Sequence, residues 1–258
     1  MPWNPETYNK FQNERFAPFD DLMGLIKVRS GLKVIDLGCG AGELTRRLAD
    51  ALPGSDVVGI DNSAQMLERA KAQERPAQPS VALRFEQRTI EEVEGQWDLV
   101  FSHAAIHWVS DHRSLIPRLL SLVKPGGQLA IQEPSNHGHI SQTAITETAR
   151  EDPFRQALGG WTRRSPVLGI EEYAELLYTS GGQDIRIFEK VYPHVLENAD
   201  AVLDWVSGTT LVPYFERLPQ ELVEPFTESY RAKLRALWPS GPVFYGFRRT
   251  LFAATREA

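Results

Sequence analysis

Three glycines at alternate positions, Gly38, Gly40 and Gly42, stand in the run Val34-Ile35-Asp36-Leu37-Gly38-Cys39-Gly40-Ala41-Gly42. Glycines tolerate positive φ and let backbone approach a ligand closely, and the N-terminus of a following helix offers unpaired N–H groups. A dinucleotide fingerprint needs its third glycine at position 43, where this chain has Glu43, a charge that would face a pyrophosphate. The loop therefore fits a nucleoside ligand without phosphates better than NAD. A second acid, Asp61, follows in Gly59-Ile60-Asp61-Asn62-Ser63. A carboxylate is acceptor-only, so at the tip of a strand it accepts hydrogen bonds from ribose hydroxyls. Asp61 also suits capping of the next helix, a role that Ser63 fills equally well.

Cationic recognition has two candidate sources, Arg163-Arg164 and Arg248-Arg249. Arginine forks bind carboxylates in bidentate fashion, and in an alternating strand only one of Arg248 and Arg249 faces a given side. His103 and His107 are four apart, as zinc ligands on a helix are, but Ala104-Ala105-Ile106 between them carries no acid, so no metal site is expected. His137 and His139 lie in a polar stretch and read as solvent-facing. Cys39 reads as a small loop residue rather than a reactive thiol.

The elements that must position these residues follow from periodicity. From Gly31, strand-like Lys33 to Leu37, Asp56 to Ile60, Val81 to Glu86, Trp97 to Ser102 and Gln128 to Gln132 alternate with helical Glu43 to Ala51, Ala64 to Ala72 and Asp111 to Val123. That is the pattern of parallel strands with crossover helices, a doubly wound α/β sheet. Asp111 is a plausible N-cap, and Lys124-Pro125-Gly126-Gly127 is a stop signal and tight turn. After Glu133 the pattern breaks into Ile140 to Ala157, read as one helix, resumes with a helix at Ile170 to Thr179 and a strand at Ile185 to Tyr192, and breaks again over the helix-rich Asn198 to Trp238. Tyr245 to Thr255 reads as a last strand. The expected organisation is an N-terminal helical lid segment over 1–30, a core over 31–134, 169–195 and 243–258, and cap inserts over 135–168 and 196–242.

Composition narrows the classes. The chain has 258 residues, 42% of them hydrophobic, with 28 Lys and Arg against 34 Asp and Glu, a net charge of −6 and one cysteine. It is too apolar for disorder, and a single cysteine permits neither an internal disulfide nor a cysteine zinc site. Broad nucleic-acid binding needs clustered Lys and Arg, which this balance disfavours. No apolar run approaches the ~20 residues that span a bilayer, and Met1 to Gln12 is too polar for a signal peptide, so a cytoplasmic protein is expected. No serine has the glycine flanks of a nucleophile elbow, and no Gly-Lys pair marks a P-loop.

Asp36 to Gly42, Gly59 to Ser63, Trp97-Asp98-Leu99-Val100-Phe101-Ser102 and Lys124 to Gly127 resemble the successive signatures of class I S-adenosylmethionine-dependent methyltransferases, over about half the chain. The resemblance implies a Rossmann-like seven-stranded sheet with a helical cap formed by the inserts, and S-adenosyl-L-methionine as cofactor. It implies that Asp61, with Asn62 beside it, holds the ribose, that the glycine loop lies along the methionine part, and that Asp36 orients the loop and helps hold the methionine amino group. Met66 would line the adenine, and Ser102, at the end of the fourth strand, would be a further cofactor contact. Where the family often has an acid for the adenine amine, this chain has Thr89, whose hydroxyl could accept while the Ile90 N–H serves the ring.

Toward the ends, Trp3-Asn4-Pro5-Glu6-Thr7-Tyr8, His103-Ala104-Ala105-Ile106-His107-Trp108, Asp204-Trp205-Val206 and Phe247-Arg248-Arg249 resemble members of that family that methylate one carboxylate of trans-aconitate to its monomethyl ester. By this resemblance Tyr8 lies close to the sulfonium with His103 as a second positioning group. Arg249 is then the preferred substrate arginine, with Arg164, Trp205 and Tyr214 as further substrate contacts, although Trp205 and Tyr214 equally suit an apolar cap core. A carboxylate is ionised at neutral pH, so no general base is expected. The alternatives are methylation of another small acid, or S-adenosylmethionine binding without catalysis, since fold alone does not fix function.

Overall fold

The computed structural model describes residues 13–74 and 81–257. In chain order its elements are α1 (Asn13–Met23), β1 (Lys33–Leu37), α2 (Glu43–Asp50), β2 (Asp56–Asp61), α3 (Ala64–Ala70), β3 (Ala82–Gln87), β4 (Trp97–His103), α4 (His112–Ser121), β5 (Val123–Pro134), α5 (Ile140–Ala149), α6 (Phe154–Ala157), α7 (Ile170–Thr179), β6 (Gly182–Leu196), α8 (Ala199–Ser207), α9 (Val212–Phe215), α10 (Gln220–Leu237) and β7 (Val243–Arg256). The seven strands form one sheet in the order β3-β2-β1-β4-β5-β7-β6. Strands β1 to β5 pair in parallel and β7 runs antiparallel beside β5.

Two compact units divide the described chain. The larger, Ala17–Pro134 with Pro166–Lys190 and Arg249–Ala258, is the sheet platform. Its inner strands are apolar on both faces, as buried parallel strands must be: Val34, Ile35, Leu37, Val57, Val58, Ile60, Leu99 and Val100 are all buried. Helix α4 starts where Asp111 accepts hydrogen bonds from the N–H groups of Arg113 and Ser114, satisfying orphan donors of the first turn. It buries Leu115, Ile116, Leu119 and Leu120 on the sheet, one helical face at the expected spacing.

The smaller unit gathers both inserts, Ser135–Ser165 and Val191–Arg248. Its core is built on α10, where Phe226, Tyr230 and Leu234 recur every fourth residue and meet Phe154, Val202, Leu203 and Tyr214. Two boundaries differ from the sequence reading. The expected helix over Ile140 to Ala157 is broken into α5 and α6, because Pro153 has no N–H to continue the ladder. The expected tight turn at Lys124 to Gly127 lies inside β5: two steps along β4, Trp97 to Leu99, match five along β5, Val123 to Gln128, so the extra residues bulge out of the ladder.

Beneath α4 and α7 the platform buries an acid. Glu133 and His112 are both inaccessible to solvent, with Glu133 Oε2 3.8 Å from His112 Nδ1. His112 Nε2 donates to the Ile106 carbonyl at 2.9 Å, so neutral His112 accepts at Nδ1 from the Tyr173 hydroxyl. The Tyr173 oxygen in turn accepts from Leu168 N–H at 3.1 Å. Both carboxyl oxygens of Glu133 lack a hydrogen bond of ordinary geometry among the described residues. Burial raises the Glu133 pKa from 4.5 to about 8, partly offset by the neighbouring Tyr173 hydroxyl, so the group is neutral at pH 7.

A carboxyl whose folded pKa lies above its unfolded value holds its proton more tightly when folded. Its contribution to stability is full below pH 4.5 and is lost as pH rises to about 8, at about 1.4 kcal/mol per pH unit. Glu133→Gln mimics the neutral acid at every pH. We expect the melting temperature of the variant to gain on wild type steadily between pH 5 and pH 8.5 (roughly the window that linkage sets), measured by thermal unfolding in parallel buffers. An equal difference at both ends would contradict a buried neutral Glu133.

Candidate functional site

The carboxyl ends of β1, β2, β4 and β5 lie along one edge of the platform, where open α/β sheets bind ligands. At the end of β1 the chain turns through Gly38, Gly40 and Gly42, with φ of 77°, 55° and 81°. The loop is tied to β2: the N–H groups of Gly38 and Cys39 both donate to the Ile60 carbonyl at 2.8 Å. A Cβ on Gly38 would stand 2.2 Å from the Ala105 methyl, so the glycine loop and the segment after β4 pack directly on each other. A Cβ on Gly40 would meet nothing within 4 Å, leaving a backbone surface open to a ligand.

Two carboxylates flank that surface. Asp61, at the tip of β2, accepts from Gly40 N–H at Oδ2 and from Ser63 N–H at Oδ1, both at 2.9 Å. Ser63 caps α3, accepting from Met66 N–H at 3.3 Å. Asp61 is thus both a structural tie and a ligand candidate, because each carboxylate oxygen keeps a lone pair for a hydroxyl. Asp36 is buried in β1 and accepts from the Thr45 hydroxyl at 2.6 Å. Desolvation raises the Asp36 pKa to about 7, with the Thr45 hydrogen bond working against the shift and Asp61 adding to it. Burial and the same two acids push the Cys39 thiol far above its ordinary value, so it has no thiolate character.

The strand register places further groups on the same face. Asp36 pairs with Phe101 and His103 with Gln132, while Gln132 faces Leu251 and Pro134 faces Arg249 across β5 and β7. With a period of two, Asp36, His103, Gln132 and Arg249 all project to one side of the sheet. His103 is buried edge-on against Phe19, ring centroids 5.9 Å apart. Arg249 is buried, 6% exposed, and its Nη1 donates to Gln132 Oε1 at 3.3 Å. Immediately past His103 the chain turns at Ala104, a non-glycine residue at φ 55°, a conformation that costs energy and clusters at functional sites.

The other residues singled out from the sequence have surroundings of their own. The Ser102 hydroxyl donates to the Leu37 carbonyl at 3.0 Å, bracing β4 against β1. Thr89 stands at the head of the turn Ile90–Glu92 in a capping-box arrangement, its N–H donating to Glu92 Oε2 at 3.0 Å. Arg118 holds the same turn by donating to the carbonyls of Ile90, Glu91 and Val93. Asn62 is exposed and Met66 half-buried on α3. In the helical unit, Tyr214 is core, stacked on Phe226 with its hydroxyl accepting from Arg163 N–H at 3.1 Å. Trp205 lies among His194, Tyr245 and Phe247. Arg164 is exposed, whereas the Arg163 side chain is half-buried, with its pKa lowered by desolvation. Tyr8 lies outside the described residues. Among the described residues no three His, Cys, Asp or Glu side chains gather to hold a metal, and no helix is long and apolar enough to cross a membrane.

Sequence reasoning passed over Gln132, Glu133 and His112. A signal for the first two existed: polar residues closing the buried run Leu129-Ala130-Ile131 are out of place unless they have work to do.

Comparison with known proteins places this geometry. Residues 28–185 match the family model described as a methyltransferase domain. Over 99% of both chains the sequence is 46% identical to the trans-aconitate 2-methyltransferase of Deinococcus radiodurans. The chain belongs to the trans-aconitate 2-methyltransferase family. The protein of that name from Paracidovorax citrulli is 36% identical, again over 99% of each chain. Among solved structures, the YcgJ protein of Bacillus subtilis superposes with a TM-score of 0.62 at 15% identity, covering 94% of this chain and 99% of that one. Phosphoethanolamine N-methyltransferase 2 of Haemonchus contortus superposes with a TM-score of 0.54 at 20% identity, covering 96% of this chain and 53% of that one. The last two bear on the fold alone. As a family member the chain is an S-adenosyl-L-methionine-dependent methyltransferase, and the glycine loop with Asp61 fits that cofactor: open backbone at Gly40 and free acceptor capacity on a carboxylate at the strand tip.

Proposed function

We propose that this chain methylates one carboxylate of trans-aconitate, giving the monomethyl ester and S-adenosylhomocysteine, in the cytoplasm. The observation that carries this reading is the division of one sheet edge into an acidic half, Asp36 and Asp61 around the glycine loop, and a basic half, the buried Arg249. A cationic cofactor and a polyanionic substrate call for that pairing of charges. Bound there, S-adenosyl-L-methionine supplies an electrophilic methyl on a positively charged sulfur. Asp61 accepts the ribose hydroxyls, the glycine loop bears the methionine part, and Asp36 in its ionised form faces the amino group. Arg249 grips a substrate carboxylate through its planar fork, leaving another carboxylate to attack the methyl carbon in line as the carbon–sulfur bond breaks and its electron pair stays on sulfur. The attacking oxygen is already ionised, so no side chain has to remove a proton. His103 and the strained turn at Ala104 hold the wall between the two halves.

Turnover is tested by incubating the protein with methyl-labelled S-adenosyl-L-methionine and trans-aconitate and following both products. Label in an ester and an equal amount of S-adenosylhomocysteine are expected. Turnover with a different acid only would keep the class and remove the substrate; bound cofactor with no turnover on any acid would remove the catalytic reading.

The raised Asp36 pKa sets a pH dependence for cofactor binding. A cation favours the ionised carboxylate, so the dissociation constant of S-adenosyl-L-methionine is expected to fall as pH rises through about 7 and to level off above it. Asp36→Asn should flatten that profile. Isothermal titration at a series of pH values checks it, and a wild-type profile already flat between pH 6 and 8 (about one unit either side of that pKa) would contradict the role given to Asp36.

A further inference from the structure

The Arg249 guanidinium has a neutral neighbour in Gln132. Gln132 is wholly buried in β5, after the apolar Leu129-Ala130-Ile131. Its Oε1 accepts from Arg249 Nη1 at 3.3 Å. A guanidinium carries only donors, so the amide is fixed with oxygen toward the arginine and its NH2 turned away. That Nε2 is buried and has no hydrogen-bond partner among the described residues. A buried, unsatisfied amide donor is costly, and one placed beside a buried arginine on the ligand edge of the sheet is matched by an acceptor that the arginine also attracts.

We propose that Gln132 and Arg249 form a single carboxylate clamp in which Gln132 Oε1 sets the plane of the guanidinium while Gln132 Nε2 donates to the carboxylate that Arg249 binds. The clamp rests on the functional reading above and deepens it by naming the residue that selects for a carboxylate at this subsite. Cross-strand register supports it. Gln132 pairs with His103 on one side and Leu251 on the other, which makes Arg249, two residues before Leu251, its diagonal neighbour on the same face. Strands are spaced about 4.8 Å apart, so Gln132 lies two strands, about 10 Å, and Arg249 three strands, about 14 Å, from the glycine loop at the end of β1. A tricarboxylate held at its far end by the clamp covers part of that interval and leaves a nearer carboxylate toward the methyl donor, which reaches out from the glycine loop.

Two variants and a binding control test the clamp. Gln132→Leu keeps bulk and removes both polar atoms; Gln132→Glu is nearly isosteric and keeps the acceptor for Arg249 but replaces the donor by an anion. With cofactor saturating, the Michaelis constant for trans-aconitate is expected to rise about 10-fold or more in Gln132→Leu. It should rise further in Gln132→Glu, where the new charge neutralises Arg249 and repels the acid. Affinity for S-adenosylhomocysteine should stay at the wild-type value in both. A dicarboxylate analogue lacking the clamped carboxylate should lose little on either substitution. If Gln132 merely fills space, Gln132→Leu will show a wild-type Michaelis constant, and the clamp is overturned even though turnover survives. Should Gln132→Leu fail to fold, Gln132→Met, which keeps the length and removes both polar atoms, decides in its place. A wild-type protein that binds cofactor but esterifies no acid would overturn the functional reading, and the clamp with it.

Discussion

Replacing Arg249 with alanine is expected to raise the Michaelis constant for trans-aconitate by about 30-fold to several thousand-fold, the range that corresponds to the 2–5 kcal/mol lost when one partner of a buried charge pair is removed. The guanidinium is buried, so its attraction for a carboxylate is screened far less than that of a surface arginine. Cofactor affinity should change little, because the glycine loop lies three strands away and Asp61 four. Arg249→Lys keeps the charge and loses the fork, and should fall between wild type and alanine. Arg248→Ala provides the contrast. Arg248 alternates to the other side of β7, and what it gives Asn136 comes from its backbone N–H, at 3.1 Å, which the substitution retains. Steady-state kinetics with saturating cofactor distinguish these outcomes, and an unchanged Michaelis constant in Arg249→Ala would remove the basic half of the site.

The second large effect belongs to Asp61. Asp61→Ala should weaken S-adenosyl-L-methionine binding by about 10- to 150-fold, the equivalent of one charge-assisted hydrogen bond of 1.5–3 kcal/mol. Two losses coincide there: the acceptor for ribose hydroxyls, and the ties to Gly40 N–H and Ser63 N–H that shape the loop. Asp61→Asn separates them, since the amide keeps one acceptor oxygen and loses the other. Calorimetry with S-adenosylhomocysteine reads the cofactor term directly. Kinetics at saturating cofactor should return a wild-type Michaelis constant for the acid, the reverse of the Arg249 pattern. A variant that shifts both constants together would show that the two halves of the edge are not independent.

Much of this was written in local sequence. Apolar runs at the strand period and amphipathic runs at the helix period located β1 to β4 and the crossover helices within a residue or two, and the central part of β5, because burial on both faces of a parallel strand leaves few polar choices. The glycine spacing was legible for the same reason, since a positive φ restricts residue type, and Asp61 is the acceptor that ties that loop to the strand tip. Tertiary context supplied what was missed. Lys124 to Gly127 has the composition of a turn, yet pairing on both sides of it leaves it as a bulge within β5. Thr89 was read for its hydroxyl alone, whereas in the fold its N–H also ties it to Glu92, three residues on, at the head of a turn. Tyr214 and Arg164 could be ranked only once packing was known: the tyrosine became core, and Arg163 rather than Arg164 was drawn inward. Gln132 and Glu133 carried the opposite lesson, since polar residues ending a buried strand were visible but unread.

In the proposed enzyme one sheet edge holds a cation with Asp36 and Asp61 and a carboxylate with Arg249, with methyl transfer between them. A crystal structure with S-adenosylhomocysteine and trans-aconitate bound together tests it most directly. Ribose hydroxyls on Asp61 and a substrate carboxylate on the Arg249 fork are the predicted result. An acid bound away from Arg249, or a ribose held by any other carboxylate, would contradict it.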